Sequence, residues 1–126
     1  MGCKFTKNEL TEFANQYALK YWAKELDIPI ELVNRQWTRR AAVYCIYRDG
    51  RKVIRMSKQT NLLLTNEQVL GNLLHELCHH FCYIEGKEFR DDSEYFVTEC
   101  IRVGAPVSKT KKAQKAFGKY AKKHLS

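Results

Sequence analysis

The 126-residue chain has no long uninterrupted apolar run; its apolar stretches are short, Leu62-Leu63-Leu64 among them. A membrane-spanning helix needs about 20 consecutive apolar residues, so a membrane partner is not expected. The first residues, Met1-Gly2-Cys3-Lys4-Phe5-Thr6-Lys7, lack the apolar centre of a signal peptide. No Cys-x-x-Cys pair occurs among Cys3, Cys45, Cys78, Cys82 and Cys100. An odd count at those spacings describes neither a disulfide framework nor a zinc ribbon, and reduced thiols in the cytoplasm are the simpler expectation. There are only two prolines and six glycines. No internal repeat and no linker long enough to divide the chain is visible. Acidic residues are missing after Glu99, and that absence shapes the charge distribution. Residues 1–99 carry 14 Lys+Arg against 14 Asp+Glu, whereas residues 100–126 carry Arg102 and seven lysines with no acid. The net charge of +8 therefore belongs to the C-terminal segment, and the body is neutral.

What is present reads as an alternation of helix and strand signals. Thr6-Lys7-Asn8-Glu9 forms a capping box ahead of Leu10, Phe13, Ala14, Tyr17 and Tyr21, which recur at helical spacing. A first helix is expected to run to about Leu26, where Asp27-Ile28-Pro29 stops it. A short strand is expected at residues 30–33. The β-branched and aromatic residues of 41–48, the Asp49-Gly50 pair and the answering stretch 51–57 predict a β-hairpin with a two-residue turn. Thr65-Asn66-Glu67-Gln68 is a second capping box. It opens a helix over residues 66–84 whose wide apolar stripe (Val69, Leu70, Leu73, Leu74, Leu77, Phe81) suits a buried position. Gly86 ends that helix. Asp91-Asp92-Ser93 offers caps for a packing helix at about 92–103, closed by Gly104 and Pro106. Beyond it, Ala113, Ala116, Phe117, Tyr120 and Ala121 define one narrow face of a basic C-terminal helix.

The chemistry concentrates on the second long helix. His75 and His79 are four residues apart, so both imidazoles leave the same face one turn apart. That spacing lets two nitrogens reach one zinc ion at roughly 2.0–2.1 Å. Glu76 can then stand beside the metal as the general base that takes a proton from an activated water. A catalytic zinc site needs a third protein ligand and an open position. His80 is turned about 100° from His79 and suits a surface or supporting role, and His124 lies in the basic tail. The third ligand is therefore expected to be a carboxylate: Asp91, Asp92, Glu94 or Glu99. Asp91 and Asp92 also fit a simpler role, complementing a helix N-terminus. Cys78 and Cys82, four apart, raise a second metal site, but two small thiols on a core face are more simply packing residues.

His75-Glu76-Leu77-Cys78-His79-His80, Glu85-Gly86-Lys87, Phe96 and Val103-Gly104-Ala105-Pro106 together resemble the zinc-site half of SprT-like proteins, related to the Spartan-type DNA-dependent proteases. The likeness spans roughly residues 5–108 and is closest to compact bacterial members, with residues 37–57 where that family places a hairpin. It implies an α+β, zincin-like small domain with a small antiparallel sheet, occupying residues 1–108, followed by a lysine-rich tail at 109–126. It also implies Zn2+ on His75 and His79 with Glu76 as catalytic acid/base. The family's third histidine aligns with Asp91 here, with Asp92 one residue away. An aspartate adds negative charge and weakens the metal as a Lewis acid. The family's cysteine-rich ribbon is missing, and the lysine-rich segment stands in its place.

Lys109, Lys111, Lys112, Lys115, Lys119, Lys122 and Lys123 form a cationic block able to bind phosphates without reading sequence, or merely a solvated helix face. The expectation is a cytoplasmic zinc metallopeptidase, a hydrolase acting on protein or peptide, with DNA as a partner through the tail. Its rivals are a non-catalytic zinc-stabilised DNA-binding or regulatory module and a metal-dependent hydrolase of another substrate.

Overall fold

The computed structural model describes residues 2–108 and 111–124, the side chains of 120–124 apart. It is an α+β structure with five helices and three strands among those residues: α1 (Lys7–Trp22), β1 (Ile30–Val33), β2 (Ala42–Ile46), β3 (Lys52–Ser57), α2 (Lys58–Asn61), α3 (Asn66–Ile84), α4 (Glu94–Val103) and α5 (Lys111–His124). No helix among the described residues is long and apolar enough to cross a membrane. Two compact units divide the chain between Leu77 and Cys78, inside α3.

In the first unit the capping box at the start of α1 forms as expected, with the Thr6 amide donating to Glu9 and the Glu9 amide to the Thr6 hydroxyl. Leu10, Ala14 and Ala18 are buried at the helical repeat. The helix ends four residues short of the expected Leu26. Ala23 takes a left-handed conformation (φ 53°) and turns its amide onto the Ala18 and Leu19 carbonyls. That cap was illegible because such a turn usually carries glycine or asparagine.

The sheet has the order β1-β3-β2 and is mixed, not the antiparallel sheet expected. β2 and β3 form the hairpin, with Tyr44 opposite Ile54 and Cys45 opposite Val53, while β1 runs parallel to β3, Ile30 beside Ile54. The pairing of β1 depends on where the chain returns after residues 34–41, which strand composition does not encode. The turn also differs from the two-residue form. The Tyr47 amide donates to the Arg51 carbonyl and Gly50 adopts φ 90°, so residues 48–50 make a three-residue turn with glycine at the left-handed position. β3 is central and buried on both faces at Val53, Ile54, Met56 and Ser57. The Ser57 hydroxyl accepts the Thr60 amide and so caps α2, a short helix with no sequence signal.

α3 occupies the expected span. The reciprocal Thr65–Gln68 bonds (2.9 and 3.1 Å) cap its start, and Val69, Leu73, Leu74, Leu77, Cys78 and Phe81 are all buried. In the second unit Ser93 caps α4 by accepting the Phe96 amide, and Gly104 (φ 80°) closes it. α5 packs against α4 through buried Ala113 and Ala116, leaving Lys111, Lys112, Lys115 and Lys119 exposed. Ser93 is nearly buried, so its cap cannot be replaced by water. Ser93→Ala should lower stability by about 1 kcal/mol in chemical denaturation, with no change in the far-ultraviolet dichroism of the native state.

Candidate metal centre

The capping box and the apolar stripe hold α3 regular through residues 75–79, and the helical repeat then brings three side chains together. One ligand atom each from His75, Glu76 and His79 lies within 4.8 Å of the others, the one such group of three among the described residues. Glu76 is 8% exposed, and both histidines are half-buried. His80 is fully buried, its ring edge-on to Phe81 at 5.1 Å, which removes the surface role considered for it. The His124 side chain lies outside the described residues.

His79 is held on three sides. Its ring stacks on Phe96 at 4.1 Å and 16°. Its Nδ1 meets the Phe89 carbonyl at 2.5 Å. A carbonyl can only accept, so Nδ1 carries the proton of that bond and Nε2 is the nitrogen left to face a metal. Asp91 Oδ1 lies 3.0 Å from this Nε2. That separation is an ion-pair or hydrogen-bond distance, and Asp91 is not among the three residues grouped closely enough to hold one ion. Two imidazoles with carboxylates alongside are a donor set that zinc accepts. The residues present therefore fit the metal.

The other carboxylates are engaged differently. Asp92 lies 3.6 Å from Arg90, and Glu99 meets the Arg102 guanidinium at 2.9 and 3.0 Å. Glu94 is exposed in the first turn of α4 and, with Asp92, lines a groove of about 230 Å3 opposite Lys112, Lys115 and Lys119. Asp91 is thus the candidate that the structure sets against His79. Sequence reasoning missed the Phe89 carbonyl, because a backbone acceptor leaves no trace in residue type.

The first unit contributes a nearby thiol. Burial pushes the Cys45 thiol of β2 above its ordinary range; Arg55 opposes this, and the charges of Glu31 and Glu76 add to it. Glu76 is thus within electrostatic reach of β2. In the second unit Cys78 and Cys82 are buried and form no disulfide. Burial, with the neighbouring Cys78 and the acids Glu99 and Glu85, pushes Cys82 up to about 12. A thiol kept neutral in this way is a poor metal ligand, and neither cysteine belongs to the metal-capable group.

The family model for SprT-like proteins matches residues 10–120. This chain belongs to the SprT-like family. No curated protein matches it. The matched SprT-like region contains the His-Glu-His group, the 85–93 loop that grips His79, and most of α5.

The thiol environment of this SprT-like protein has a measurable consequence. Cys82 is neutral in the fold and ionises more readily once unfolded, so its contribution is intact below about pH 9 and is lost as pH rises towards 12. Cys82 should resist alkylation at neutral pH in the native state. Denaturation midpoints should fall as pH rises above about 9, and Cys82→Ala should flatten that fall.

Proposed function

We propose that this SprT-like chain is a zinc-dependent metallopeptidase in which His75, His79 and Asp91 hold the metal and Glu76 is the general base. The observation that carries the reading is the convergence of His75, Glu76 and His79 within 4.8 Å on one face of α3. A zinc ion bound there supplies a Lewis acid that polarises the scissile carbonyl and acidifies a neighbouring water. The rest falls to the chain's own groups. Glu76 is nearly excluded from solvent, which favours a carboxylate acting on a bound water over one dissipated in bulk. It takes the proton of the attacking water and returns it to the leaving amine. The Phe89 carbonyl and the Phe96 ring keep His79 in one tautomer and one orientation. A zincin-like arrangement of sheet and motif helix belongs to the same reading, as does residence in the cytoplasm, which suits five cysteines without a disulfide.

The exposed lysines of α5 support a second element of the proposal, contact with DNA phosphates by Lys111, Lys112, Lys115 and Lys119, joined by Lys109, Lys122 and Lys123. Lys109 and the side chains of Lys122 and Lys123 lie outside the described residues. The alternative reading is a zinc-stabilised DNA-binding or regulatory module without catalysis. The Asp91–His79 contact favours it to the extent that a carboxylate on the metal lowers its Lewis acidity.

Glu76→Gln should leave metal content and fold intact while lowering peptide turnover by a factor on the order of a hundred or more. His75→Ala and His79→Ala should each lose zinc by elemental analysis, and so should Asp91→Ala, whereas Glu99→Ala should retain it. Identical turnover in wild type and Glu76→Gln, both fully loaded with zinc, would transfer the assignment to the non-catalytic module. The DNA element is tested by charge removal on α5 rather than by truncation, because Ala113 and Ala116 are buried. Replacing Lys111, Lys112, Lys115 and Lys119 with glutamine should weaken duplex binding. The slope of log affinity against log salt should become shallower by about 0.9 for each phosphate that the variant no longer neutralises.

A further inference from the structure

The neutrality of residues 1–99 conceals a local excess of positive charge. Residues 32–48 contain four arginines and no acid. Three of them, Arg35, Arg39 and Arg40, lie on the loop between β1 and β2, and all three are exposed. None forms an ion pair among the described residues. The flanking acids are already engaged, Glu31 with Arg55 at 3.3 Å and Asp49 with Arg51 at 2.7 Å.

This loop is tied down. The Ser57 hydroxyl donates to the Arg35 carbonyl, and the Gln59 amide donates to the Asn34 side chain at 2.7 Å. The Thr60 hydroxyl both accepts the Trp37 amide (3.1 Å) and donates to the Trp37 carbonyl (3.3 Å). Three side chains at and just after the end of β3 thus brace the backbone from which the guanidiniums project. An array held in this way has already lost much of the backbone entropy that binding would otherwise cost.

The loop leads directly into β2, which has β3 as its one strand neighbour and so forms an edge of the sheet. Cys45 on that strand is within electrostatic reach of Glu76. We infer that Arg35, Arg39 and Arg40 form a docking surface for the carboxylate side chains of an acidic polypeptide, held beside the edge strand β2. The inference rests on the peptidase reading and adds a substrate class to it.

Guanidinium groups bind carboxylate and phosphate alike through paired N–H donors. Two features favour polypeptide here. An edge strand can pair with an extended peptide backbone, which a nucleic acid cannot supply. Single-stranded nucleic acid gains much of its affinity by stacking bases on open aromatic faces. The aromatic ring of this loop, Trp37, is half-buried and already carries the Arg55 guanidinium over its face at 5.9 Å.

The test measures binding separately from turnover, in full-length Glu76→Gln protein loaded with zinc. Fluorescence anisotropy would follow a labelled oligo-glutamate peptide, a matched oligo-glutamine peptide and a labelled single-stranded oligonucleotide. The oligo-glutamate should bind the more tightly of the two peptides. The triple change Arg35→Gln, Arg39→Gln, Arg40→Gln should weaken it at least about tenfold. Glutamine at Lys112, Lys115 and Lys119 should leave oligo-glutamate binding unchanged. All three arginines are exposed, and an unchanged dichroism spectrum verifies the fold of the variant. Equal binding by the triple variant overturns the docking surface, and so does an arginine-dependent affinity for the oligonucleotide with none for oligo-glutamate. Either result leaves the peptidase reading standing. Arginine-dependent peptide binding supports the docking surface even where wild-type protein cleaves no peptide, a result that counts against the peptidase reading alone.

Discussion

The imidazole of His79 is the point on which the candidate site depends. It is gripped by a backbone carbonyl, an aromatic face and a carboxylate, supplied by Phe89, Phe96 and Asp91. A metal ligand is useful only when its lone pair is aimed, and aim requires that the other ring nitrogen be occupied and the ring plane fixed. The Phe89 carbonyl does the first and Phe96 the second. Both arise from packing after Gly86 ends α3: the 85–93 loop brings Phe89 back to the helix, its ring meeting Tyr83 edge-on at 5.0 Å, and the buried Ser93 cap starts α4 so that Phe96 lies beneath His79.

The contact between Asp91 and His79 bears on the proposed metal site. A neutral imidazole at that place would leave the metal its full positive charge. Asp91, 3.0 Å from His79 Nε2, would on the proposed reading neutralise part of it and bring a hard oxygen donor in place of nitrogen. Affinity for a divalent cation would then gain from the extra charge, while its power to polarise a carbonyl would fall.

Positive charge is carried by two elements with different chemistry, one in each unit. α5 presents ammonium groups from a helix anchored on α4 by alanines, a flexible and strongly hydrated array. The 34–41 loop presents guanidiniums from a backbone braced by Ser57, Gln59 and Thr60. Lysines on long flexible stems suit polyanions whose charges are regularly spaced and sequence-independent. Braced arginines suit oxyanions that must be met in a particular direction.

Several local signals formed as expected, although the Asp49-Gly50 turn and the end of α1 did not. The capping boxes at Thr6 and Thr65 need only residues three apart, the stripe from Val69 to Phe81 needs only the helical period, and the His75–Glu76–His79 face follows from both. Of the four carboxylates after Gly86 offered as a third ligand, Asp91 meets His79. What sequence alone could not provide was any relation whose partner lies far along the chain or has no side-chain identity. The parallel pairing of β1 with β3, the left-handed Ala23 cap, the burial of His80, the contact of Asp91 with His79 and the Phe89 carbonyl are all of this kind. Helical periodicity and capping are properties of consecutive residues and are written in their order. Strand neighbours, loop return paths and backbone acceptors exist only once the chain has closed on itself, and those the tertiary structure alone decided.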